Sequence, residues 1–144
     1  MSEPDEKRRF GSHHILIVDD HAGVRRLLQS WLRDVLPEVV WLEAASGEEA
    51  VALAATQAPD LVLMDIQLPN MNGTEATRRI KALAPQTRVV ILTSLDDTAA
   101  RLSASAAGAS AYVTKHAMRT DLIPVIEALR TSPDADGYSR RHSR

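Results

Sequence analysis

The residues best equipped for chemistry are Asp19, Asp20, Asp65, Thr93, Ser94 and Lys115, and each stands at or just beyond the end of a short apolar run. Those runs are Ile15-Leu16-Ile17-Val18, Leu61-Val62-Leu63-Met64, Val89-Val90-Ile91-Leu92 and Ala111-Tyr112-Val113. If the runs lie side by side, three carboxylates, a hydroxyl and an ammonium meet at one rim. Clustered carboxylates repel, and each is costly to bury without a partner, so the set makes sense only around a cation with positive charge nearby. Oxygen donors with no His or Cys among them favour Mg²⁺ or Mn²⁺ over zinc. Mg²⁺ in particular uses one or two carboxylates and keeps waters that a phosphate can displace. Lys115 is then left as a point charge for an anion.

The elements that must bring these residues together are legible as a rhythm. Short apolar runs, with Val39-Val40-Trp41-Leu42 as one more, alternate five times with longer stretches of helical spacing. Uninterrupted apolar runs suit strands covered on both faces. Val24, Leu27, Leu28, Trp31 and Leu32 form one helical stripe, and Leu122, Val125, Ile126 and Leu129 another. Ser46 with Glu49 reads as a capping box, and Asn72 with Glu75 as a similar, weaker start. Pro124 fits a last helix whose N-cap is Asp121, because proline then occupies a position that needs no N–H. Five strand-helix units with right-handed crossovers predict an α/β fold with an open, doubly wound parallel sheet, its ligands beyond the carboxyl ends of the strands.

Bulk properties narrow the field. The 144 residues suit one domain, and 44% hydrophobic with 25% charged residues is ordinary for a globular chain. The expected division is a flexible leader over 1–12, a domain over 13–131 and a flexible tail over 132–144. A net charge of -2 gives no broad attraction to nucleic acid, so direct nucleic-acid binding by this chain is not expected. The absence of cysteine excludes thiolate catalysis and Cys-built zinc sites. Met1–Phe10 lacks the apolar segment of a secretory signal, and no apolar run approaches the roughly 20 residues that span a bilayer. A cytoplasmic chain without a membrane partner is the expectation.

The constellation resembles the receiver domain of two-component response regulators over nearly all of His14 to Arg130. The resemblance rests on Val18-Asp19-Asp20-His21, on Asp65-Ile66-Gln67-Leu68-Pro69-Asn70-Met71-Asn72-Gly73, on Thr93-Ser94, and on Gly108-Ala109-Ser110-Ala111-Tyr112-Val113-Thr114-Lys115. Any one of these is weak, but all four in order are specific. The resemblance implies a flavodoxin-like sheet of order 2-1-3-4-5 with five helices. It makes Asp65 the phosphorylation site and nucleophile, fed by a phosphohistidine on a histidine kinase or histidine phosphotransfer protein. It places Mg²⁺ on Asp20, Asp65 and the backbone carbonyl of Gln67, with Asp19 acting through water. Lys115 and Thr93 would attend the phosphoryl group, and Thr93 and Tyr112 would form the switch. Leu95 would shield the phosphoryl group from water. Such a chain is a phosphoacceptor rather than an enzyme with an external substrate; it acts on a downstream protein and can form a homodimer on phosphorylation. The opening motif and Leu122-Ile123-Pro124-Val125-Ile126-Glu127 look most like the NarL/FixJ group, whose members usually carry a DNA-binding output domain. This chain ends soon after its last helix, which suits either a single-domain regulator or a fragment. His116 stands where many receivers have a cis proline, so no cis peptide is expected there.

Plainer roles compete with these. Asp19 and Asp20 could cap a helix, Asp65 could serve a turn, and Thr93 or Ser94 could cap a helix starting near Asp96. Lys115 alone would be an ordinary surface lysine, Tyr112 a half-buried strand aromatic, and Trp31 and Trp41 packing residues. His13, His14, His21 and His116 show no metal-ligand spacing. A small aspartyl-phosphate phosphatase is the competing enzyme class, but such enzymes place a second Asp two residues past the nucleophile, where this chain has Gln67. A binding module that is never phosphorylated is the third reading.

Overall fold

A computed structural model describes residues 13–131, so the expected leader and tail lie outside the described residues. Five strands, β1 (His13–Val18), β2 (Val39–Ala44), β3 (Leu61–Met64), β4 (Arg88–Thr93) and β5 (Ala111–Thr114), alternate with five helices. The helices are α1 (Ala22–Val35), α2 (Gly47–Gln57), α3 (Gly73–Leu83), α4 (Thr98–Ala107) and α5 (Met118–Thr131), the last entered through a 3₁₀ turn over Lys115–Ala117. The sheet is fully parallel with strand order β2-β1-β3-β4-β5, as expected.

Side-chain alternation along the strands divides the core into two layers. Ile15, Ile17, Leu61, Leu63, Val90, Leu92 and Val113 pack against Leu28, Leu32 and Leu36 of α1 and its end, and against Leu122, Ile126 and Leu129 of α5. Leu16, Val18, Val62, Met64, Val89 and Ile91 meet Ala50 and Ala54 of α2, Ala76 and Ile80 of α3, and Ala104 of α4. Leu32 and Ile126 are fully buried, and truncating either to alanine removes about 2–5 kcal/mol.

Three expectations about the elements need correction. Leu27 is 61% exposed and lies off the packing stripe of α1, which runs through Leu28 and Leu32. Val40 is exposed as well, because β2 is an edge strand with only β1 beside it. The last helix begins at Met118 rather than after Asp121, so Pro124 lies inside it. The 3₁₀ turn feeds directly into the helix and sets its start. The two caps hold: Ser46 Oγ accepts from the Glu49 amide at 3.1 Å and Asn72 Oδ1 from the Glu75 amide at 3.0 Å. The return arm of the Ser46 box reaches one residue further than expected, with the Ala45 amide donating to Glu49 Oε1 at 2.8 Å. No cis peptide occurs among the described residues.

Candidate functional site

The carboxyl ends of β1, β3, β4 and β5 bring the expected residues to one rim. Parallel pairing fixes this, because Val18 of β1 sits opposite Met64 of β3, and Thr93 of β4 opposite Thr114 of β5. One step past those ends stand Asp19, Asp65 and Lys115. The Asp19 amide donates to Ala44 O and the Asp65 amide to Val18 O, so the ladder continues to the acidic residues themselves.

Asp19 and Asp65 are buried, at 2% and 4% exposure, and Lys115 joins them. Its Nζ donates to Asp19 Oδ2 at 2.6 Å and to Asp65 Oδ2 at 3.1 Å. Residues nearly a hundred positions apart in the chain thus share one ammonium. Burial would lower the Lys115 value, but the hydrogen bond to Asp19 and the charge of Asp65 hold it above the ordinary lysine range. Burial pushes the Asp19 carboxyl up, yet the bonds from Lys115 and the His21 backbone outweigh it and hold it below the ordinary range. Both partners of the Lys115–Asp19 pair stay ionised.

The turn after β3 is built around Asp65. Its Oδ1 accepts from the Gln67 amide at 3.1 Å, and the Leu68 and Gly73 amides both donate to Ile66 O. Gly73 begins α3 directly against this turn, and a Cβ there would come within 2.0 Å of Asp65 O, closer than any atom can approach. Only glycine lets the helix start so close to the acceptor strand.

Asp20 is more open, its side chain 32% exposed beside the His21 ring. The His21 Nδ1 lies 3.2 Å from Oδ1 of both Asp19 and Asp20. Asp19, Asp20 and His21 form the one group of potential metal ligands within 4.8 Å of one another among the described residues. The sequence reading set His21 aside because no second histidine stands at ligand spacing; its place comes instead from following the Asp pair directly. The capping alternative for that pair fails, since His21 is the N-cap of α1 and no side chain caps it. Thr93 and Ser94 are not caps either, because Asp97 caps α4 with its Oδ1 on the Ala99 amide at 2.8 Å. Thr93 is fully buried, its hydroxyl only loosely engaged by the Leu95 amide at 3.4 Å.

Beyond Thr93 the surface is latched. The half-buried Tyr112 hydroxyl donates to Leu95 O at 2.6 Å, and the Arg101 guanidinium lies over its ring at 4.5 Å. Arg101 also reaches Asp96 at 3.3 Å. Arg25, which the sequence reading passed over, donates through Nη1 to Asp19 O at 2.6 Å and through Nε to Glu43 at 2.7 Å. Neighbouring Arg26 is the same residue type, and only the phase of α1 tells the two apart.

The donor chemistry fits a hard divalent ion. Asp19 and Asp65 share one ammonium, Asp20 lies beside them against the His21 ring, and the Arg25 guanidinium is already matched by Glu43. Negative charge is left over, offered by oxygen.

Comparison with known proteins agrees with this geometry. The family model of the response regulator receiver domain matches residues 15–127. The response regulator protein VraR of Staphylococcus aureus is 38% identical over 112 residues, covering 78% of this chain and 54% of that protein. The chain therefore spans about half the length of the curated relatives it matches. A solved LuxR-family two-component response regulator from Aurantimonas sp. SI85-9A1 superposes with a TM-score of 0.76 at 35% identity, covering 92% of this chain and 99% of that one. The response regulator domain of Thermotoga maritima CheB gives a TM-score of 0.71 at 33% identity, covering 83% and 94%.

Proposed function

This chain belongs to the response regulator receiver domain family of two-component systems, with NarL/FixJ-like character, and from that premise we propose that Asp65 takes a phosphoryl group from a phosphohistidine and so switches a partner-binding surface. The observation that carries the reading is the ammonium of Lys115 shared between the buried carboxylates of Asp19 and Asp65.

In this mechanism a carboxylate oxygen of Asp65 attacks phosphorus in line, the P–O bond forms as the P–N bond to histidine breaks, and the imidazole leaves. The carboxylate is already a nucleophile and needs no base. Lys115, whose Nζ already touches Asp65 Oδ2, follows the charge onto the phosphoryl oxygens, and a preorganised donor of this kind lowers the barrier without reorganisation. Asp20, Asp65 and the Gln67 carbonyl would hold Mg²⁺, with Asp19 acting through water. When bound, that ion supplies further neutralisation of the phosphoryl oxygens.

Thr93 then bonds a phosphoryl oxygen, which draws the segment through Leu95 inward. Tyr112 is tied to the Leu95 carbonyl, so the pull reaches the β5 surface, where the tyrosine changes place. Leu95 shields the phosphoryl group from water. The donor is a histidine kinase or histidine phosphotransfer protein in the cytoplasm, and the target is a downstream protein or a second copy of the chain. No helix among the described residues is long and apolar enough to cross a membrane.

The test is incubation of wild type and Asp65→Asn with acetyl phosphate, with and without Mg²⁺, read by intact mass. The expected result is one added phosphoryl group on wild type with Mg²⁺ and none on the variant. Sustained turnover of a phosphate ester would favour the phosphatase reading instead. Failure of wild type to take any label would favour a module that is never phosphorylated.

A further inference from the structure

We infer that Arg25 is a positioning residue for the divalent-cation site, pinning the peptide between Asp19 and Asp20 so that the Asp20 carboxylate is held toward the ion. The inference rests on the phosphoacceptor reading above and adds a residue to it.

The geometry is a three-way tie. Arg25 comes from the first turn of α1, its side chain 15% exposed. Its Nη1 donates to the carbonyl of Asp19 at 2.6 Å, which is the oxygen of the peptide leading into Asp20. Its Nε donates to Glu43 Oε1 at 2.7 Å on the neighbouring strand β2, where Glu43 stands opposite Ile17 in register. The N–H of the same Asp19 residue is fixed from the other side by Ala44 O at 3.1 Å. Beyond it, Asp19 Oδ1 takes the His21 amide at 2.9 Å. The turn carrying Asp20 is therefore held by three bonds, and Arg25 supplies the one that acts on the peptide plane ahead of Asp20. Asp20 itself is the open member of the acidic group, with the least packing of its own to fix it. A guanidinium forks naturally between two such oxygens, whereas a lysine ammonium offers a single point and cannot bridge them in the same way.

Charge and position make opposite predictions, which makes the role decidable. As a charge alone, Arg25 repels a cation, and its loss should tighten binding. As a positioning group, its loss frees the peptide and should weaken binding, as removing a residue that orients a ligand generally does.

Mg²⁺ affinity of the full chain is measured by calorimetry for wild type, Arg25→Met, Arg25→Lys and Glu43→Gln, alongside thermal unfolding without metal and acetyl phosphate labelling across a Mg²⁺ titration. Arg25→Met is expected to weaken Mg²⁺ binding about tenfold, and Arg25→Lys and Glu43→Gln to weaken it less. The half-saturating Mg²⁺ for labelling should rise in parallel while the rate at saturating Mg²⁺ returns close to wild type. Arg25→Lys keeps the charge while breaking the fork, so weaker Mg²⁺ binding in it reports position alone, and it carries the test should Arg25→Met not fold. Unchanged or tighter Mg²⁺ binding in the variants, with wild type labelling normally, overturns the role of Arg25 and leaves the phosphoacceptor reading intact. A wild type that neither binds Mg²⁺ nor takes label overturns both.

Discussion

At the carboxyl ends of the strands Asp19 and Asp65 share the ammonium of Lys115 while Asp19 and Asp20 flank the His21 ring, whereas at the amino ends Asp60 lies 4.0 Å from His13, whose ring also feels the charges of Arg88 and Arg130. The amino end ties strands to helix. Asp60 Oδ2 accepts the His14 amide at 2.8 Å, and Arg88 reaches the last turn of α5 at Leu129 O. The carboxyl end is under-neutralised, with Asp20 left open. One sheet thus carries an end whose charged groups fasten α5 and an end where buried carboxylates gather around a single ammonium. Difference in charge balance, more than in burial, separates a structural cluster from a functional one.

The largest effect should come from Lys115→Met. It strands two buried carboxylates, so phosphoryl uptake should slow by about a hundredfold. Urea unfolding without metal should show a loss on the order of 2 kcal/mol, below the range for a fully buried pair because Lys115 is 22% exposed. Mg²⁺ should restore part of that stability, and a loss insensitive to Mg²⁺ would speak against an under-neutralised end.

Acid-to-amide changes at the two ends should have opposite signs. Asp60→Asn is expected to cost about 1 kcal/mol whether or not Mg²⁺ is present, since it weakens a bond to the His14 amide and removes the anion from a cationic group. Asp20→Asn should stabilise the metal-free chain by about 1 kcal/mol through relief of repulsion, and should abolish stabilisation by Mg²⁺. Equal signs in denaturant melts would erase the contrast.

The smallest effect concerns pH. Burial, reinforced by Arg130 and Arg88 and opposed by Asp60, holds the His13 ring below its ordinary value of 6.5, with His14 adding slightly to the lowering. Between the folded value and 6.5 the unfolded chain holds a proton that the folded chain has released, so stability rises with pH through that window and levels off above it. His13→Gln should flatten this slope in melts run across the window.

Much of this contrast could be read before any coordinates. Asp19, Asp65, Thr93 and Lys115 follow apolar runs, and parallel pairing makes a common rim out of that placement. Asp60, Arg88 and Arg130 gave no such sign, because they stand just before a strand, at the start of one and in the last turn of a helix, where charged residues are ordinary, and their meeting depends on how α5 docks. Arg25 escaped for a related reason: one of its partners is a backbone carbonyl, which no residue pattern announces, and the other, Glu43, lies on a different strand. Pro124 misled, because a proline tolerated inside a helix looks the same in sequence as one that starts it. The exposed edge strand β2 also hid behind an apolar run, since strand order rather than composition decides which runs are covered on both sides.

The central claim is that Asp65 itself becomes the acyl phosphate. Borohydride reduction after treatment with acetyl phosphate and Mg²⁺, followed by peptide mapping, should convert position 65 alone to the reduced alcohol. Conversion at Asp19 or Asp20 instead, or undiminished labelling of Asp65→Asn, would contradict it.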